Sequence, residues 1–159
     1  MRFRFSPHCL VIGYGLNALL AAAITGSLPG LGGQLYVLLH IGFLILWFFS
    51  GWAYGKTALS KGAAILLGNL VGLVSLLLYL LQFLLVEDGM RNLFLGAFSQ
   101  MFCTAGTRLG ALVSLLLKPG FNTAPQISVT CTVVFSTLIM IVIFAAGVLV
   151  RRYRDTRSR

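Results

Sequence analysis

One arginine lies inside an apolar stretch of the chain. Arg108 stands between Gly106 and Gly110 in the run FCTAGTRLGALVSLLL, where every other residue is uncharged. A charged side chain inside an apolar segment is costly, and by default it marks a ligand site or an ion pathway. The guanidinium could bind an anionic or polar solute, or it could clamp a helix carbonyl or a carboxylate inside a bundle. The sequence leaves both interpretations open.

Few polar side chains are available to satisfy Arg108. Arg108 lies ten residues before Lys118, which is roughly 15 Å along a helix and too deep for the side chain to reach the membrane surface. The candidate partners in the apolar runs are Asn17, Asn69 and Gln82, followed by the loop carboxylates Glu87 and Asp88. We therefore expect Arg108, Asn69, Gln82 and Asn17 to form the intramembrane polar or ligand-binding set.

The composition indicates a membrane protein. Hydrophobic residues make up 58% of the chain and charged residues 9%, and the mean hydropathy is +0.96, whereas roughly a quarter of a soluble domain is charged. Five apolar runs reach the roughly 18 residues needed to cross a bilayer core. The sequence predicts an all-α, polytopic transmembrane bundle in one domain, 1–159, with helices at about 9–28, 35–55, 62–86, 93–117 and 127–150 and a basic tail at 151–159.

The fourth run, 93–117, is the least secure of the five predicted spans. Its central Arg108 opposes insertion by about 2.5 to 3.5 kcal/mol. Lys and Arg concentrate on the cytoplasmic side of membrane proteins, but five full spans with a cytoplasmic N-terminus divide them five against six. A broken or re-entrant fourth segment divides them nine against two. A full span and a re-entrant segment therefore both stay open.

Small residues recur at four-residue spacing in several runs. This spacing places them on one helix face, where they let two backbones approach closely in lipid. The pairs are Gly51 and Gly55, Gly68 and Gly72, and Gly106 and Gly110. We expect these faces to pack the helices together, or alternatively to join copies of the chain or the subunits of a larger membrane complex.

Aromatic and basic residues mark the ends of the apolar runs. Trp47, Trp52 and Tyr54 are followed by Lys56, a pattern typical of a membrane interface. The net charge is +9, and the last residues read RRYRDTRSR. Because the basic residues lie at the ends of apolar runs, they predict contact of the tail with anionic lipid headgroups rather than binding to nucleic acid.

Motifs for catalysis or cofactors are weak. The three cysteines fall in separate apolar runs without CxxC spacing, which does not favour a metal site. The stretch SGWAYGKT ends like a phosphate-binding loop, but Ser50 occupies the position of its first glycine. Glu87 and Asp88 are adjacent, so they do not share a helix face as an acid and base pair would. We expect no enzyme activity, no cofactor and no metal.

The stretch SGWAYGKTALSKGAAILLGNLVGLVSLLLYLLQFLL, continuing to GTRLGALV, resembles a family of small, glycine-rich, four-span bacterial membrane proteins of unknown function. The matching positions are Gly51, Gly55, Lys56, Lys61, Gly62, Gly68 and Gly72. Arg108 and the fifth run with its basic tail depart from the family pattern. The resemblance carries no known activity.

These features together predict a multi-pass protein of a bacterial cytoplasmic membrane with a cytoplasmic N-terminus. We expect a non-enzymatic structural, assembly or accessory subunit that packs through its small-residue faces. The alternative is a small-solute transporter or a substrate-binding membrane subunit that uses Arg108.

Overall fold

The described part of the chain is built from helices. The computed structural model describes residues 32–92, 94–96, 99 and 125–157, and no strand occurs within these ranges. Helix α1 spans Gly32–Tyr54, α2 spans Lys61–Gly68, α3 spans Leu70–Leu80 and α4 spans Pro125–Arg157. A π-helical segment, Leu81–Leu85, continues α3, and a short 3-10 turn follows at Asp88–Met90.

The prediction of a five-span bundle is wrong. Among the described helices, only α4 is long and apolar enough to cross a membrane, over Val129–Arg157, where its most apolar 18-residue window has a mean hydropathy of 2.8. The predicted span 62–86 is broken, with a bend of 56° between Lys61–Gly68 and Leu70–Leu85, and counts as a second span only if both parts are taken together. In the predicted span 35–55, the apolar part of α1 that qualifies is Ile41–Tyr54, which is shorter than the 18 residues required of a span. The predicted span 9–28 and most of 93–117 lie outside the described residues.

The break between α2 and α3 has a local cause. Gly68 and Asn69 are adjacent poor helix formers, and Asn69 leaves the helical region with φ −108° and ψ 8°. The Asn69 side chain donates from Nδ2 to the Ile65 carbonyl oxygen at 2.8 Å, and Asn69 is only 1% exposed. A side-chain donor that engages a helix carbonyl competes with the regular backbone pattern and bends the helix. The predicted span 62–86 is therefore apolar and long enough to cross a membrane, but it is not one straight helix.

Helices α1 and α4 pack side by side and run parallel. Trp47 of α1 donates from Nε1 to the Met140 carbonyl oxygen at 3.0 Å. Eight residues later in both helices, Gly55 lies against the Val148 carbonyl oxygen. The helices α2 and α3 run antiparallel to α4. The buried apolar core is formed by Trp47, Tyr54, Ala64, Met140, Phe144 and Val148.

Candidate functional site

The cations of the described chain concentrate at one end of the helices. Because α1 and α4 are parallel, the loop after α1 and the last turns of α4 meet there. We call this region the basic end, and its cations are Lys56, Lys61, Arg151, Arg152, Arg154 and Arg157. Asp155 lies among them. The opposite end of α3 carries Arg91 near Glu87 and Asp88, so charge is distributed very unequally between the two ends.

Trp52 links the loop after α1 to the end of α4. Its ring is approached by two cations, the Lys56 Nζ at 5.1 Å and the Arg151 Cζ at 4.5 Å from the ring centroid. Both distances lie within the range of a cation–π interaction. Arg151 also donates from Nε to Asp155 Oδ2 at 3.1 Å. One aromatic ring therefore holds a lysine of the loop and an arginine of α4 in the same place.

Arg152 holds the loop itself. Its Nη2 donates to the Thr57 carbonyl oxygen at 3.4 Å and also to the Leu59 carbonyl oxygen. Thr57 in turn donates from Oγ1 to the Tyr54 carbonyl oxygen at 2.8 Å. Carbonyls just beyond a helix end have no partner within the helix, and here the guanidinium of a distant helix supplies one. The loop between α1 and α2 is consequently fixed to α4.

Replacing Arg152 with Gln is expected to loosen this loop. The variant loses charged hydrogen bonds to two loop carbonyls, and a hydrogen bond to a charged group contributes about 1.5 to 3 kcal/mol. Amide hydrogen exchange in residues 55–60 should accelerate by roughly ten-fold or more, since about 1.4 kcal/mol corresponds to a factor of ten. Replacing the exposed neighbour Arg154 with Gln is the matched control, and equal acceleration in both variants would contradict the role given to Arg152.

The helix termini contribute to the electrostatics of the basic end. Two carboxyl-terminal helix ends, those of α1 and α4, meet there, and each carries a partial negative charge. Arg154 and Arg157 lie in the last turn of α4, and Lys56 follows α1 directly. Lys56, Lys61, Arg154 and Arg157 are exposed, while Arg151 and Arg152 are partly buried. Lys56, Arg154 and Arg157 therefore offset the dipoles of α1 and α4, whereas Lys61 begins α2 at the positive end of its dipole.

Arg91 caps the carboxyl-terminal end of the π-helical segment that continues α3. Its Nε donates to the carbonyl oxygens of Gln82 at 3.0 Å and Val86 at 3.3 Å, and its Nη2 donates to that of Phe83 at 3.3 Å. The guanidinium carbon lies 5.2 Å from the centre of the Phe83 ring. These carbonyls belong to the π-helical segment and its end, where regular partners are lacking. Arg91 acts there as a structural cap.

Asn69 and Gln82, two of the polar residues predicted to surround Arg108, lie apart from each other in the structure. Asn69 is buried at the junction of α2 and α3. Gln82 lies in the π-helical segment, where its Oε1 accepts from the Asn92 backbone N–H at 3.0 Å. Asn69 and Gln82 are 13 positions apart in the sequence, which corresponds to roughly 20 Å of helix. Arg108 and Asn17 lie outside the described residues.

Three of the predicted packing glycines lie against α4. A Cβ atom built on Gly51 would lie 2.2 Å from the Phe144 carbonyl oxygen, and one on Gly68 would lie 2.2 Å from Phe144 Cζ. A Cβ on Gly55 would lie 2.8 Å from Arg151 Cβ. Gly72 is buried in α3, and Gly106 and Gly110 lie outside the described residues.

Sequence reasoning missed a fourth contact glycine, Gly147 of α4. A Cβ atom there would lie 2.2 Å from the Phe48 carbonyl oxygen and 2.7 Å from the Trp52 nitrogen. Gly147 therefore faces Gly51 at the point where the two backbones come closest. The preceding Ala145 and Ala146 form a run of small residues with it, and that run was the signal available in the sequence.

The three aromatic residues predicted to mark a membrane interface lie in two different environments. Trp47 and Tyr54 are buried in the core against Phe144, with ring centroids 5.2 Å and 5.7 Å from the Phe144 ring. Of the three aromatics in the predicted belt, Trp52 is the one that stacks with cations of the basic end. The roles of Arg151 and Arg152 were also missed, because they depend on the parallel packing of helices that are far apart in sequence.

Comparison of the chain with protein-family models, curated proteins and solved structures gives no match. The resemblance to small four-span bacterial membrane proteins therefore stays a prediction.

Proposed function

We propose that the protein is a non-enzymatic integral membrane protein that is anchored by α4 and serves as a structural, assembly or accessory subunit. The observation that supports this most directly is the apolar outer surface of the helices. Large apolar side chains are exposed along every described helix of eight residues or more, among them Leu38, Ile45, Phe49, Leu66, Leu77, Leu84, Val129, Leu138, Val142 and Leu149. Soluble monomers rarely expose large contiguous apolar patches, whereas in a membrane the hydrocarbon of the lipid tails covers exposed apolar side chains.

The burial of α4 favours a membrane span over the core helix of a soluble protein. In its most apolar window, 39% of the residues are buried within the protein, so this stretch is not covered on all sides by the described chain. A core helix of a soluble domain is apolar because it is covered on all sides. The exposed face of α4 contains Leu138 and Val142 near the middle of the helix, where lipid or another membrane helix would cover them.

The charge distribution supports an orientation for the helix. Six of the described cations lie at the basic end, while the opposite end has Arg91. Since Lys and Arg are retained on the cytoplasmic side, the basic end belongs in the cytoplasm and the start of α4 on the other side. In a bacterium this membrane is the cytoplasmic membrane.

The packing of the helices supports an accessory role rather than a chemical one. At Gly51 and Gly147, α1 and α4 approach so closely that an added Cβ would lie 2.2 Å from a backbone oxygen of the other helix. The buried polar group Asn69 and the partly buried cations Arg91 and Arg152 engage backbone carbonyls. Their geometry stabilises the fold. The transport alternative depends on Arg108 and gains no support from Asn69 and Gln82, which lie far apart.

Introducing arginine into the exposed middle of α4 tests the membrane anchor. Val142 is 64% exposed, and an arginine at a span centre opposes insertion by about 2.5 to 3.5 kcal/mol. We expect the wild-type chain to stay in the pellet after alkaline carbonate extraction of membranes, and the Val142→Arg variant to be released or degraded to a large extent. The control is Val150→Arg, at the basic end, which should extract like the wild type.

Two results would contradict the anchor. Release of the wild-type chain by carbonate would show that the protein is not integral to the membrane. Equal release of the Val142→Arg and Val150→Arg variants would show that the middle of α4 is not in hydrocarbon.

A further inference from the structure

We propose that the basic end binds the phosphate headgroups of anionic phospholipids through the four exposed cations Lys56, Lys61, Arg154 and Arg157. This inference rests on the proposed membrane anchoring, and it extends the site beyond the tail to the loop between α1 and α2. The ligand is a lipid of the leaflet in which the basic end lies. The site is at the end of the apolar helix α4, and its positive charge is opposite to that of the headgroup.

The geometry divides the six cations of the basic end into two groups. Arg151 and Arg152 are partly buried and engage protein groups: Trp52 and Asp155 in the first case and two loop carbonyls in the second. Lys56 and Lys61 lie on the loop that these contacts hold, and both are exposed. Arg154 and Arg157 lie in the last turn of α4 and are exposed as well, with the Arg157 Cζ 4.7 Å from the centre of the exposed Tyr153 ring.

The contacts of the inner arginines fix the outer cations relative to one another. Lys56 is placed over the same Trp52 ring as Arg151. Lys61 begins α2, whose first turn is capped by the Ser60 side chain, which accepts from the Ala63 N–H at 3.2 Å. The loop and the last turn of α4 therefore carry their charges at the same end of the helices, on backbone that is already ordered before a ligand binds.

The charge balance determines the ligand class. Six cations and the single carboxylate Asp155 leave a net charge of about +5 at the described basic end. Each Lys or Arg near an anionic membrane surface strengthens binding by roughly five-fold, the equivalent of about 1 kcal/mol. Several such groups on a fixed surface at the end of a span discriminate an anionic headgroup from a zwitterionic one.

The experiment compares anionic and zwitterionic lipid on the purified full-length protein in detergent micelles. Bound phosphatidylglycerol and phosphatidylcholine are counted by native mass spectrometry. The test variant carries Lys56→Gln, Lys61→Gln, Arg154→Gln and Arg157→Gln. The matched control conserves charge, with Lys56→Arg, Lys61→Arg, Arg154→Lys and Arg157→Lys.

The wild type and the charge-conserving variant are expected to retain phosphatidylglycerol over phosphatidylcholine, with a preference that declines as salt is added. The neutral variant is expected to lose roughly a hundred-fold or more of that preference, given roughly five-fold for each of four cations. If the neutral variant fails to fold, Lys61→Gln and Arg154→Gln alone should each reduce the preference about five-fold.

Equal preference in the neutral and charge-conserving variants would overturn the inference, as would a wild type that retains both lipids equally. Either result leaves the membrane anchor intact if the wild type still resists carbonate extraction. Release by carbonate would instead remove the proposed function on which the lipid site rests.

Discussion

Replacing Phe144 with Ala is expected to lower the free energy of unfolding by about 3 to 5 kcal/mol, the usual cost of truncating a fully buried phenylalanine. Phe144 is 0% exposed. Its ring contacts those of Trp47 and Tyr54 and lies against the backbone of α2 at Gly68. It therefore joins three helices, and alanine would leave a cavity among all of them. In a membrane the loss is one of packing contacts rather than of burial from water.

The measurement for Phe144→Ala is unfolding of the protein in mixed micelles by added dodecyl sulfate, followed by circular dichroism. The control is Val142→Ala on the same helix, where the side chain is 64% exposed, and its expected effect is within about 0.5 kcal/mol. Comparable losses for the two variants would show that Phe144 does not centre the core.

Replacing Gly51 with Ala is expected to force α1 away from α4 and destabilise their contact by about 1 to 3 kcal/mol. The new Cβ would lie 2.2 Å from the Phe144 carbonyl oxygen, whereas ordinary contacts begin at 3.4 Å. The neighbouring atom is backbone and cannot rotate aside, so the helices themselves must move. Gly147→Ala should act similarly, because its Cβ meets the Phe48 carbonyl oxygen.

The Gly51→Ala and Gly147→Ala variants should also be non-additive. Once the helices have separated for one methyl group, the second is accommodated at little further cost, so the double variant should lose clearly less than the sum of the single variants. Gly42→Ala is the control, since a Cβ there has nothing within 4 Å, and it should be neutral or stabilising by up to about 1 kcal/mol. Additive losses, or a loss at Gly42, would contradict a close backbone contact at this crossing.

The sequence predicted the outlines of α1 and α4 well because apolar composition is a local property. The prediction 35–55 corresponds to Gly32–Tyr54, and 127–150 corresponds to Pro125–Arg157, with the helix continuing through most of the basic tail. Charged residues end an apolar run, but they do not end a helix, since Arg has a high helix propensity. The helix therefore extends beyond the apolar part.

Features that depend on distant partners could not be predicted from composition. The bend at Asn69 requires a side-chain hydrogen bond that competes with the helix, and a hydropathy window averages over it. The roles of Trp52, Arg151 and Arg152 require knowing that α1 and α4 run parallel. Gly147 lacks a second glycine at four-residue spacing, so a search for pairs overlooked it.

The contact between α1 and α4 has a consequence for the order of events during synthesis. Trp47 and its hydrogen-bond acceptor Met140 are separated by 93 residues. At about 5 to 20 residues per second, the ribosome needs roughly 5 to 20 s to complete that interval. During this time α1 exists without the helix that packs against Gly51. The core around Phe144 can therefore close only after α4 has been synthesised.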